Sequence, residues 1–121
     1  MQDKCIELAK KSTFRSKHGA VISYDNHIIG SGFNVNLSHP MIKQFNEFKT
    51  LHAEMVAILR VKNKKLLKRS TLYVTRLNKD DELMMSKPCK ICTDIMKSFG
   101  VKEVCYSDTV GNWITEQVSE L

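Results

Sequence analysis

Apolar residues recur along this chain with two periods, and the switches between them divide it into elements. Residues 2–11 carry Cys5, Leu8 and Ala9 at helical spacing, which predicts a helix with one buried stripe. "GAVISYDNHIIGSGFN" predicts two strands, 19–24 and 27–33, joined by a tight turn at Asp25–Asn26. The polar, aromatic-studded "NLSHPMIKQFNEFKT" follows, longer than an ordinary connection and therefore expected to be functional. "LHAEMVAILRVK" sets Met55, Val56 and Leu59 on one stripe of a short helix, and the β-branched "STLYVTRL" reads as a strand. In "PCKICTDIMKSFG", Cys92, Ile95, Met96 and Phe99 repeat at i, i+3, i+4 and i+7. Pro88 suits the first turn of that helix and Gly100 its end. "VKEVCYS" is another strand.

The final "NWITEQVSEL" fits a strand or a helix. Only "DTVG" separates it from the preceding strand, so a strand here must pair antiparallel, because a parallel crossover needs a dozen residues or more. The order α-β-β-α-β-α-β predicts a three-layer α-β-α domain around a mixed sheet of four to five strands. A hairpin would be followed by right-handed β-α-β crossovers. No repeat or Pro/Gly/Ser-rich linker interrupts residues 1–121, which read as a single domain.

Composition narrows the class. With 42% hydrophobic and 26% charged residues in 121, the chain matches a soluble domain with one core. No apolar run reaches transmembrane length and the N-terminal stretch lacks a signal-peptide core, so the expectation is a cytoplasmic protein without a membrane partner. In that compartment paired cysteines point to metal or redox chemistry rather than structural disulfides. Cys5 and Cys105, in apolar periodic contexts, read as small core residues. The formal charge of +6 is concentrated in residues 10–17 and 62–69. "KNKKLLKR" reads as a solvated helix end whose cations suit the helix dipole, while the net charge keeps a nucleic acid open as partner.

Cys89 and Cys92, three apart at a helix start, could form a redox couple, half of a structural zinc knuckle, or part of a catalytic metal site. A thioredoxin-like pair belongs after the first strand of a βαβ unit, near the N-terminus. A structural zinc wants a fourth ligand, and Cys5, Cys105, His18, His27 and His39 lie at no knuckle spacing. His52 offers a third ligand, and one imidazole with two thiolates and an open fourth position is a catalytic zinc arrangement. Glu54 stands two residues after His52, which in a regular helix points it away. The two converge only if the segment is entering its helix and both side chains reach past its end. The two helix starts then face each other across one ion. Zinc lowers the pKa of a bound water from about 15.7 to about 7, giving hydroxide at neutral pH. A non-ligand carboxylate can take that proton and redeliver it to a leaving group, which suits loss of ammonia from an amidine-like carbon.

"HAE" at 52–54 followed by "PCKIC" at 88–92 matches the H-x-E … P-C-x-x-C signature of zinc deaminases. Over nearly its whole length the chain resembles the cytidine/deoxycytidylate deaminase superfamily. The resemblance implies Zn2+ held by His52, Cys89 and Cys92, with Glu54 shuttling protons to the ring nitrogen and the departing amine. It implies that the Ala53 N–H and the Lys87 carbonyl grip the base edge and that Asn34 holds base or sugar. The 36–50 loop, with His39, Phe45 and Phe48, would wall the pocket, and the protein would be a homo-oligomer. Beside it stand plainer readings: Asn34 as a strand-end turn residue, Phe45 and Phe48 as packing under the loop, and Trp113 as an anchor for the tail.

The chain departs from better-defined branches in carrying Lys87 where many relatives have Ser or Glu, and in lacking "SPCPxC". Its tail is short for the helix that nucleotide- and tRNA-type members insert before their last strand. An antiparallel last strand would resemble the free-cytidine branch, a feature some nucleic-acid editing and toxin deaminases share. The expected function is hydrolytic deamination of a cytosine nucleoside or nucleotide to its uracil form, by zinc-bound hydroxide and Glu54. Two alternatives stand beside it: a deaminase of cytosine or adenine in single-stranded DNA or RNA, and a catalytically silent zinc-binding or redox-regulatory domain.

Overall fold

The computed structural model describes residues 1–14, 16–35 and 51–121. His39, Phe45 and Phe48, expected as pocket walls, lie outside the described residues. Helix α1 (Gln2–Ala9) buries Cys5, Leu8 and Ala9, the stripe its spacing predicts. Strands β1 (Lys17–Tyr24) and β2 (His27–Phe33) form the expected antiparallel hairpin. Its turn residues Asp25 and Asn26 have φ of 50° and 62°, as a two-residue turn matched to strand twist requires. Helix α2 spans Ala53–Arg60, strand β3 Thr71–Leu77, helix α3 Lys90–Phe99 and strand β5 Glu103–Ser107.

The sheet runs β2-β1-β3-β5-β6, where β6 is Trp113–Gln117, with a two-residue strand β4 (Leu83–Met84) paired to β3. It therefore has six strands rather than four or five. Strand β4 is too short to show an alternating pattern, and the tail residues Trp113–Gln117 form β6 before a 3-10 turn over Val118–Glu120. Strand β6 pairs antiparallel with β5, as the short "DTVG" link demands, and β3 pairs parallel with β5 across α3. The run 64–69 is its own 3-10 turn with Leu67 fully buried, not a mere helix extension. Lys64 Nζ donates to Leu59 O at 3.2 Å, so a cation does cap the end of α2.

Alternation along β1 separates two layers. Val21 joins Cys5 and Leu8 under α1, with Trp113 packed against them as the tail anchor. Ala20 and Ile22 face the larger cluster beneath α2 and α3, with Met55, Ile58, Ile95, Met96, Leu72 and Val74. Gly30 lets α2 sit directly on the sheet: a Cβ there would stand 2.5 Å from Ala57 O. Gly100, at φ 80°, closes α3 in the left-handed region. No helix among the described residues is long and apolar enough to cross a membrane.

Candidate active site

Both chemistry-bearing segments enter helices at their N-termini. His52 is the N-cap of α2 (φ −70°, ψ 157°) and Cys89 the N-cap of α3 (φ −70°, ψ 170°). Each cap carbonyl accepts the first helical bond, from Val56 N at 3.1 Å and from Thr93 N at 2.9 Å. His52 makes no side-chain bond to its own helix, and Cys89 reaches its own helix through Cys92 rather than by a usual cap bond. They turn toward each other instead. His52 Nδ1 lies 3.1 Å from Cys92 Sγ and 3.8 Å from Cys89 Sγ. The three donor atoms lie within 4.8 Å of one another. Pro88 sits just before the cap rather than inside the first turn, and its buried ring fixes the chain's approach.

Burial and contact set the electrostatics. The Cys89 thiol is pushed down to about 3, first by the hydrogen bond from Cys92 and then by His52. Cys92 goes the other way, because its proton is shared with the Cys89 sulfur and its site is dry. His52 is pushed up by its bond to Cys89. Two sulfurs and an imidazole thus compete for shared protons, a donor set that a divalent cation completes by displacing them. Glu54, one residue into α2, is 4% exposed and shifted upward by burial. Its Oε1 has no hydrogen-bond partner among the described residues. A carboxylate oxygen left bare in a dry site costs several times an ordinary hydrogen bond, so among the described residues this oxygen is left open to an added partner. One imidazole, two thiolates and a free carboxylate beside them fit zinc with an open position.

A cavity of about 270 Å³, lined by Phe14, Ser16, His18, Asn34, Leu51 and His52, opens beside this group. Asn34 Oδ1 accepts from His18 N–H at 3.0 Å, and its Nδ2 donates to Ser16 O at 3.0 Å. Asn34 thus ties down the start of β1 and keeps one N–H and one lone pair for the cavity. The plainer strand-end reading therefore describes its bonds, and the same side chain lines the cavity. His18, which carried no functional expectation, is held down to about 4 by burial and then by Arg76, so it lines the cavity as a neutral ring. Its Nε2 lies 3.1 Å from Ser16 Oγ, which accepts from Arg76 Nε at 2.8 Å.

Ala53 is buried at the first position of α2, where an N–H has no helical acceptor. The exposed Lys87 side chain turns to Glu116 of β6, Nζ to Oε2 3.7 Å, and Glu116 also accepts from Tyr106 OH at 2.9 Å. The tail strand therefore receives the Lys87 side chain. Sequence reasoning missed His18 and a buried hydroxyl group of Thr75, Ser86 and Ser107 behind the Lys87–Cys89 segment. Nothing in their spacing marks them, because only the sheet brings residues of three separate segments together.

Residues 1–108 match the family model "Cytidine and deoxycytidylate deaminase zinc-binding region". Solved structures give the same fold. The apo dCMP deaminase of cyanophage S-TIM5 is similar at 23% identity and TM-score 0.65, over 88% of this chain and 78% of that one. A cytidine deaminase of Mycobacterium tuberculosis is similar at 15% identity and TM-score 0.57, over 99% and 89%. A deaminase/reductase of the diaminohydroxyphosphoribosylaminopyrimidine type from Thermotoga maritima shares 30% identity at TM-score 0.55, over 87% of this chain but 27% of that one. No curated protein matches the sequence.

Proposed function

Because this chain belongs to the cytidine and deoxycytidylate deaminase family, whose zinc-binding region it carries, we propose that it deaminates a cytosine nucleoside or nucleotide to the uracil form. The observation that carries this reading is the His52–Cys89–Cys92 group with the partnerless Glu54 oxygen beside it. His52 Nδ1 and the sulfurs of Cys89 and Cys92 would hold the zinc ion. When bound, that ion supplies a water activated for attack at neutral pH.

The residues of the chain do the rest. Glu54 takes a proton at Oε1, passes it to the ring nitrogen, and delivers another to the exocyclic amine as the carbon–nitrogen bond breaks. Water adds its oxygen to the ring carbon and ammonia leaves, so atoms balance without a redox partner. Burial that lifts the Glu54 carboxyl above its ordinary range suits a group that must hold and release a proton near neutrality. The Ala53 N–H and the Lys87 carbonyl orient the base edge. Asn34 offers its remaining N–H to base or sugar, and His18 and Leu51 line the same cavity.

A single-stranded nucleic acid is the second reading, favoured by the net charge of +6. A homo-oligomer is part of the proposal, and light scattering on purified protein tests it. The deciding assay is ammonia release from cytidine, deoxycytidine, CMP, dCMP, the adenine analogues, and single-stranded DNA and RNA. Turnover of a free cytosine compound is expected. Turnover of oligonucleotides alone would move the substrate to the second reading. Zinc-loaded protein that releases ammonia from nothing in the panel would leave a silent zinc-binding domain.

A further inference from the structure

The ladder between the parallel strands β3 and β5 ends at the pair Val74–Tyr106. Beyond it the strands separate, and the segment leading to Pro88 and Cys89 passes through the gap. Two backbone groups are stranded there: the Val74 carbonyl and the Ser107 N–H. Neither stays unpaired, because the Ser86 hydroxyl stands between them. Ser86 Oγ accepts from Ser107 N–H at 2.7 Å and donates to Val74 O at 2.9 Å. The Ser86 N–H donates to Ser107 O at 2.8 Å.

Two further hydroxyls lock the arrangement. Ser107 Oγ lies 2.9 Å from Ser86 Oγ and 3.1 Å from Met84 O, and Thr75 Oγ1 lies 3.3 Å from Ser107 Oγ. Ser86, Thr75 and Ser107 are all buried, at 4%, 0% and 0% exposure, so these bonds form in a dry, low-dielectric setting that strengthens them. Ser86 is thus one residue from Lys87 and three from Cys89, at the point where the sheet hands the chain to the site.

We propose that Ser86 is a positioning residue: its hydroxyl replaces the missing rung between β3 and β5 and thereby sets the Lys87 carbonyl and the Cys89 sulfur. The inference rests on the deaminase reading for what the carbonyl meets, but not for the sulfur, whose position shows in metal affinity. A side chain supporting a ligand in this way contributes about 10–100-fold to metal affinity or activity when removed.

The test compares Ser86→Ala with Thr71→Ala. Thr71 Oγ1 donates to Glu103 Oε1 at 2.7 Å, so it links the same two strands at their opposite end, away from the site. Zinc affinity is measured by chelator competition, and kcat and KM are normalised to bound zinc. Ser86→Ala is expected to weaken zinc by about tenfold or more and to lower kcat/KM per zinc by a similar factor. Thr71→Ala should change neither, whatever it does to the melting temperature. Ser86→Thr, which retains the hydroxyl, should recover at least part of the zinc affinity. If Ser86→Ala matches Thr71→Ala in zinc affinity and in kinetics, Ser86 is structural only and the inference fails. Should the wild type prove inactive on every substrate, the deaminase reading fails, and the zinc titrations still decide the role of Ser86.

Discussion

The two helix starts that meet at the site are built by different means. The α2 start is held by packing: six residues of Ala53–Arg60 are buried, and Gly30 lets the helix rest on the sheet backbone. The α3 start is held by polar bonds, with an exposed Cys89 leading into a helix that buries one stripe. Its approach hangs on the Ser86 hydroxyl rather than on a ladder. The packed start carries the imidazole and the dry carboxylate, whose upward shift needs exclusion of water. The bonded start carries both sulfurs, one of which keeps solvent contact. A dry half and a more open half give a site where the Glu54 carboxyl is buried while Cys89 stays accessible.

That comparison can be broken most forcefully at the ligands. Replacing either His52 or Cys92 with alanine should take zinc from about one per chain to near none, measured by metal analysis of purified protein. If one variant keeps its metal and the other loses it, the two starts are not equal halves of one centre. Next in size is Gly30→Ala, which drives a methyl group against the Ala57 carbonyl and should cost about 1–3 kcal/mol of stability by denaturant unfolding. Its zinc affinity should fall less than that of Ser86→Ala, because the α3 start is not touched. A larger loss of zinc than in Ser86→Ala would reverse the assignment of packing and polar support. The smallest effect belongs to Lys87→Ala. A half-exposed pair with Glu116 is worth about 0–1 kcal/mol, and the contact with the base proposed above is through the backbone carbonyl rather than the ammonium. Turnover should therefore stay within about twofold, and a collapse would place the Lys87 side chain in the chemistry.

Elements with strong periodicity were legible from sequence: the stripe of α1, the Asp25–Asn26 hairpin, and the Cys92–Ile95–Met96 face of α3. Whether the tail is strand or helix was not legible, but the antiparallel pairing of a strand there followed from the length of one link, because chain geometry allows no parallel return over four residues. Strand β4 was not legible, since two residues carry no period, and the 3-10 turn over 64–69 hid within a charge run whose one buried residue is Leu67. The site divides in the same way. His52, Glu54, Cys89 and Cys92 stand in two short motifs, and entry into helix explains why residues two apart can converge. The bonds of Asn34 to the start of β1, the neutral His18 and the Ser86 hydroxyl arise only where β1, β3 and β5 meet at one end of the sheet. Such positions depend on partners far away in sequence, so no local pattern announces them.

In the function proposed above, Glu54 moves protons at a zinc centre it does not ligate. Glu54→Gln keeps the shape of the side chain and removes its proton-accepting oxygen, so one preparation can be assayed for both metal and ammonia release. About one zinc per chain is expected, as in the wild type, with turnover lowered by about 10²–10⁴-fold. Zinc-loaded Glu54→Gln protein that turns over at the wild-type rate would contradict it.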